Sequence, residues 1–289
     1  MHRFNKWCIR PTSRWGGLLL GLALLGLVPD GVAGGGWVRK KSTFYGKLRV
    51  SSFRTNKYYN LAGELNDQGA QFQQTSLDLY AEYGLSKRLT LILNAPLFRS
   101  NKFSTTNAAT GFGDVLVEAK YGILTGNFPV AISVGAQLPT GQSRILVADV
   151  NRPGSQINLP IGDGELNIWT KAYASIPFSS RGYVSVEVGY NKRTQGFSDQ
   201  YASTVEVGYK IGPVWTNAVL RRLNSVGVPD TNKGSFVYGE GLEYTAYSLG
   251  AAVPITKKTS LTLDYSNMIV PCKNTYSGPI FGLGLSVEM

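Results

Sequence analysis

The chain has 289 residues and a formal net charge of +11, yet only 16% of its residues are charged, and it carries 34 glycines, 16 tyrosines and 12 phenylalanines. That length allows one large domain or two small ones, and the composition fits an all-β protein with aromatic girdles. The basic residues are scattered rather than gathered in a patch, which excludes a nucleic-acid partner.

The first stretch reads as an export signal. Arg3, Lys6, Arg10 and Arg14 precede an apolar run over 16–28, and Gly31-Val32-Ala33 follows as a small-x-small site. The spacing predicts a signal peptide over 1–33, cleaved after Ala33. The run is too short for the roughly 20 residues that a membrane-anchoring helix needs. Cleavage removes His2 and Cys8, so residues 34–289 hold no histidine and a single cysteine, Cys272. Histidine-dependent hydrolysis and the usual zinc sites are thereby excluded, and no internal disulfide can form. No second apolar run approaches helix-spanning length, so an exported chain of this kind either floats free or crosses the membrane as a barrel.

The strands follow in order. A first is expected near 44–53, after which 60–74 is a gap rich in Asn, Gln and Gly. In 75–85, Leu77, Leu79, Ala81, Tyr83 and Leu85 share one face, and Ser76, Asp78, Tyr80, Glu82 and Gly84 share the other. This is the period of two that a strand imposes. Further strands are expected over 89–97, 111–124 and 128–139. A polar loop over 140–164 separates these from strands over 165–177, 183–191, 204–211, 215–223, 241–254, about 261–265 and 281–289. In 243–254 the apolar residues change face near Tyr247–Leu249, which calls for a β-bulge or another register.

The connections alternate in length. Short turns lie at 86–88, 125–127, 179–182, 212–213 and 256–258, while the remaining connections are longer, up to 140–164. Tight turns at one end, long loops at the other and an even strand number are the marks of an outer-membrane barrel. Strands of roughly 9–13 residues match the 9–11 needed to cross a bilayer at a tilt. The fold expected is therefore a transmembrane antiparallel β-barrel of about twelve strands over 34–289, in the bacterial outer membrane. Its apolar face meets outer-membrane lipid and its polar face lines the lumen.

Gly111-Phe-Gly-Asp-Val-Leu-Val-Glu-Ala-Lys-Tyr121 and Val130-Ala-Ile-Ser-Val-Gly-Ala-Gln-Leu-Pro-Thr-Gly141 resemble the outer-membrane family named for the meta-pathway of phenol degradation. Gly164-Glu-Leu-Asn-Ile-Trp169 is similar to the strand that follows in that family. The resemblance implies a β-barrel and uptake of hydrophobic compounds, and it brings no catalytic residues. The glycines at 111 and 113 open a strand rather than a helix, so they do not form a phosphate loop.

Two sets of residues are candidates for function. Lys47, Arg49, Asp78, Glu82, Glu118, Lys120, Glu187, Glu206 and Lys210 fall on polar strand faces, with Asp114, Lys171, Glu243 and Asp264 beside them. They either form a charged pore wall or pair into salt bridges that fill a narrow lumen. In that set eight acids face five bases, at most a weak cation preference. In the long loop, Ile145, Leu146, Val150, Ile157 and Leu159 are unusually apolar, as are Val147 and Ile161. They either dock an apolar solute or pin the loop to the barrel rim. Asp149, Asp163 and Glu165 lack the spacing of a calcium loop, so ordinary solvation is expected and no cofactor or metal. The expected function is passive uptake of small apolar or aromatic compounds. The alternative is a closed structural or surface-interaction barrel with 140–164 as its contact loop. Substrate and oligomeric state are not legible.

Overall fold

A computed structural model of the chain describes residues 34–227, 229 and 240–289. The signal peptide expected over 1–33 lies outside the described residues. The strands in chain order are β1 (Phe44–Tyr59), β2 (Leu65–Gly84), β3 (Leu89–Phe103), β4 (Ala109–Gly111), β5 (Val115–Leu124), β6 (Val130–Leu138), β7 (Leu146–Ala148) and β8 (Gln156–Asn158). They continue with β9 (Asn167–Ser179), β10 (Gly182–Arg193), β11 (Gln200–Ile211), β12 (Val214–Ser225), β13 (Glu243–Pro254), β14 (Thr259–Lys273), β15 (Thr275–Tyr276) and β16 (Ile280–Glu288).

Twelve of these close into one antiparallel barrel in the order β1-β16-β14-β13-β12-β11-β10-β9-β6-β5-β3-β2, with β2 pairing back to β1. Closure rests on β1. It pairs with β16 from Tyr45↔Glu288 to Phe53↔Ile280 and with β2 from Phe44↔Tyr83 onward. A closed barrel leaves no edge, so every wall amide finds a partner inside the bilayer.

The outward face is apolar and exposed. Val117, Ile132, Val186, Val205, Leu263 and Leu283 are each between 43% and 54% accessible. Tyr83, Tyr121, Phe178 and Tyr209 ring the end with the short turns, and Phe98, Tyr190, Tyr201 and Phe281 lie toward the other. Between two aromatic girdles lies the lipid-facing band. Val205 sits between Val186 and Leu220 in that band. Val205→Arg is expected to lower barrel stability by about 2–4 kcal/mol, read as the midpoint of urea unfolding in lipid vesicles. An unchanged midpoint would mean that this face does not meet lipid.

The structure corrects the sequence reading in three places. The polar gap at 60–74 and the connection between the strands expected over 89–97 and 111–124 are in part wall: β2 begins at Leu65 and β3 runs to Phe103. With 16, 20 and 15 residues, β1, β2 and β3 are longer than a crossing requires and stand above the membrane on the long-loop side. The long loop is not structureless, since β7 and β8 form a hairpin within it. The wall from Thr245 to Pro254 runs in even register with β14, so the expected change of face at Tyr247–Leu249 does not occur. The irregularity lies at Glu243/Thr245. Tyr247, Leu249, Ala251 and Val253 face outward, and the small inward residues Ala246 and Ala252 had imitated a second apolar face.

Residues 34–43, ahead of β1, do not join the wall. They run into the lumen at the short-turn end. The Gly36 amide donates to Ser175 Oγ at 2.8 Å and the Arg39 amide to Thr90 Oγ1 at 2.8 Å. Trp37 packs edge-on to Tyr183 at 5.2 Å. Gly122 leaves room for Val38: a Cβ there would lie 3.1 Å from a Val38 methyl.

Candidate functional site

The lumen is a chamber between two closures. Its inner closure is the segment at 34–43, anchored by Arg39. The Arg39 guanidinium donates to Glu82 of β2 at 2.7 Å and to Glu288 of β16 at 2.5 Å, and it lies 4.9 Å from the Tyr45 ring centre. Arg39 and Glu82 are both buried. Lys120 donates from Nζ to the Gly35 carbonyl at 3.2 Å and lies over Tyr173. Glu118 accepts from Lys171 and from the Tyr173 hydroxyl, each at 2.7 Å. Glu206 accepts from the Tyr183 hydroxyl. Glu187 faces inward from β10 and Lys210 lies over Trp215.

Above this layer is a cavity of about 640 Å³, lined by Tyr45, Lys47, Arg49, Asp78, Tyr80, Asn94, Pro96, Arg99, Asp114, Leu116, Gln137 and Asp264. Lys47 contacts both oxygens of Asp264 at 2.9 and 3.0 Å. Arg49 reaches Asp264 at 3.3 Å and Asp78 at 3.8 Å. Gly282 makes that reach possible, because a Cβ there would collide with the Arg49 guanidinium. A smaller cavity of about 140 Å³ continues along β11–β14 and shares Tyr45, Lys47 and Asp264 with the chamber. The Lys47–Asp264 pair therefore stands at a neck between the two spaces. The nine lumen candidates thus all lie on inward faces, split between the chamber wall and the layer around the inner segment.

The outer closure is the long loop. Phe53, Tyr58, Phe72, Phe103 and Tyr276, on the inner face of the projecting wall, form one buried cluster with Val147, Leu159 and Ile161. Phe72 is fully buried, with ring centres 4.6 Å from Tyr276, 5.6 Å from Phe103 and 6.0 Å from Phe53. Of the five apolar loop candidates, Ile145 and Ile157 pack against this cluster and Leu159 is inside it. Leu146 and Val150 remain exposed, at 48% and 60%.

The glycine motifs clasp this loop. Asp114 accepts from the Gly141 amide at 2.9 Å and the Asp163 amide at 2.8 Å. Thr140 Oγ1 donates to the Gly113 carbonyl at 2.7 Å. Any side chain at Gly162 would strike the Asp114 carboxyl. Arg99 and Asn101 of β3 donate to the carbonyls of Ile161 and Pro160. Nearby, Glu165 is fully buried and paired with Arg193. Asp149 caps the turn to Asn151, and Asp163 accepts from Gln137 and Asn167. Among the described residues no group of three or more His, Cys, Asp or Glu is placed to hold a metal.

Burial pushes the Asp114 carboxyl up to about 6, against its two amide donors and with the Asp163 carboxylate adding to the rise. Burial also pushes Glu165 up to about 7, opposed by Arg193 and assisted by Asp163 and Glu240. Both groups hold their protons more tightly in the closed state than in water. Their contribution to the closure is therefore complete below the ordinary carboxylate range and is lost as pH rises through about 6 and about 7. Single-channel recordings at about pH 5 and about pH 8 should show the outer closure opening more often at the higher pH. Identical records at both would mean that these carboxylates do not bear on the loop.

A closed barrel of membrane-spanning strands with two aromatic girdles, tight turns at one end and long loops at the other is an outer-membrane β-barrel. The chain belongs to the family described as "Putative MetA-pathway of phenol degradation", whose model matches residues 84–267. Its fold is similar to that of the COG4313 outer membrane channel from Pseudomonas putida F1, with a TM-score of 0.65 and 15% identity over 87% of this chain and 97% of that one. It is also similar to the translocator domain of the autotransporter NalP from Neisseria meningitidis, with a TM-score of 0.50 and 8% identity over 90% and 91%. No curated protein sequence matches the chain.

Proposed function

We propose that this outer-membrane barrel is a passive channel for small apolar or aromatic compounds rather than an enzyme. The carrying observation is the chamber of about 640 Å³ inside the closed wall. That volume lies within the range of small-molecule sites, roughly 300–1,000 Å³. Tyr45, Tyr80, Pro96 and Leu116 supply ring and aliphatic surface among the ion pairs. A flat molecule with one polar edge suits such a wall. The phenol-degradation family and the fold shared with a solved channel support the reading. Residues 34–289 contain no histidine, so the barrel's own strands and loops supply no imidazole base. On this reading the exposed Leu146 and Val150 receive the solute, while Ile145, Ile157 and Leu159 seat the closure that it must displace.

A closed structural barrel is the competing reading, favoured by the filling of the lumen at both ends. Uptake of phenols and monoaromatic hydrocarbons by cells lacking the protein separates the two. We expect uptake to fall on deletion, to return with the intact gene, and to change again when the β7–β8 hairpin is shortened. Unchanged uptake across the panel in all strains would leave the structural reading.

A further inference from the structure

We propose that the outer wall of β13, β14, β16 and β1 carries a binding site for an anionic phospholipid of the periplasmic leaflet. Two independent features of one wall point to it.

The first is an arc of positive charge on the short-turn rim, which is the periplasmic side of such a barrel. Lys257 and Lys258 occupy the β13–β14 turn, Lys41 precedes β1, and Lys87 and Arg88 occupy the β2–β3 turn; all five are exposed. Backbone hydrogen bonds show that these positions are neighbours. The Glu288 amide donates to the Lys258 carbonyl at 2.8 Å, and the Phe44 amide to the Met289 carbonyl at 2.7 Å. The Ser42 amide donates to the Gly84 carbonyl at 2.7 Å, and the Gly122 amide to Arg88 at 2.8 Å. The short turns at 86–88, 125–127, 180–181, 212–213 and 255–258 contain no Asp or Glu. Glu288, the carboxylate beside the arc, is engaged by Arg39 from within. The long-loop end carries both signs, so the asymmetry belongs to this rim.

The second feature is an apolar groove of about 660 Å³ on the lipid-facing side of the same wall. Its sides are Leu249, Leu263, Tyr265 and Phe281, and the small residues Ser52 and Ala251 leave the dent between them. From the Leu263–Leu283 row to Lys258 is five residues along β14, about 17 Å at about 3.3 Å per residue. Between them Leu261 and Leu285 continue the apolar surface. An acyl chain lying in the groove thus places its phosphate at the basic arc. Each Lys or Arg near an anionic surface adds about 1 kcal/mol, roughly a fivefold preference, and neutral headgroups gain nothing comparable.

The test uses the full barrel in vesicles containing spin-labelled phosphatidylglycerol or spin-labelled phosphatidylcholine. The fraction of each probe immobilised at the protein surface is read from its spectrum. The expected result is a preference for phosphatidylglycerol of about fivefold or more, weakening as salt is raised. The variant K41Q/K87Q/R88Q/K257Q/K258Q should lose the preference, since it alters only exposed turns. Ala251→Phe should lower immobilisation of both probes by filling the groove. Equal immobilisation of the two probes by the unaltered protein, or a preference indifferent to salt, overturns the proposal without recourse to any variant. A preference that survives the five neutral substitutions also overturns it.

Discussion

Arg39→Ala is expected to unblock the inner half of the lumen. Arg39 bridges Glu82 on β2 and Glu288 on β16, the strands on either side of β1, and ties the segment at 34–43 to that wall. Removing it leaves the Glu82 carboxylate buried without that partner, and breaking such a pair costs about 3–5 kcal/mol while the segment stays seated. The segment can avoid this cost by leaving, which admits water to Glu82. The two responses are read by two measurements: the urea midpoint falls if the segment stays, and single-channel conductance rises if it leaves. Neither changing would show that Arg39 does not hold the inner closure.

Phe72→Ala should have the larger effect on the outer half. Phe72 stacks on Tyr276 and meets Phe53 and Phe103 edge-on, at the centre of the cluster that receives the long loop. Truncating a fully buried phenylalanine costs about 3–5 kcal/mol, because the cavity left behind cannot collapse. Phe98→Ala, on the lipid-facing side of β3, serves as the control and should cost much less. Equal losses at the two positions would mean that the cluster is not a packed core.

The membrane-crossing part of the wall was legible because lipid outside and polar groups inside write a clean alternation, as in Val184–Tyr190 and Val205–Ile211. The projecting part was not legible. From Leu65 to Gln74 both faces of β2 are largely polar, since water replaces lipid outside, and Phe72 with Ala70 marks the buried side. The loop hairpin was hidden for a different reason: its apolar residues pack on aromatics contributed by strands far away in sequence. The glycine motifs were visible as motifs, but their use as a clasp depends on Asp114, Gly141 and Asp163 meeting in space. The inner segment left one trace in the sequence. The inward strand faces carry more acids than bases, and Arg39, outside every strand, is among the cations that answer the excess.

The pairing of β1 with β16 fixes an order of assembly. The Arg39–Glu288 contact spans 249 residues, and the closing ladder from Tyr45↔Glu288 to Phe53↔Ile280 spans almost as many. Contacts that distant form late, after the hairpins between consecutive strands. Until they do, the nascent sheet presents two raw edges, each able to join a foreign strand. The segment ahead of β1 can enter by the short-turn mouth, but its seat needs Glu288 beside β1, and only the β1–β16 pairing puts it there. Closing the seam is therefore the committed step of biogenesis, and it completes the pair of carboxylates that Arg39 occupies.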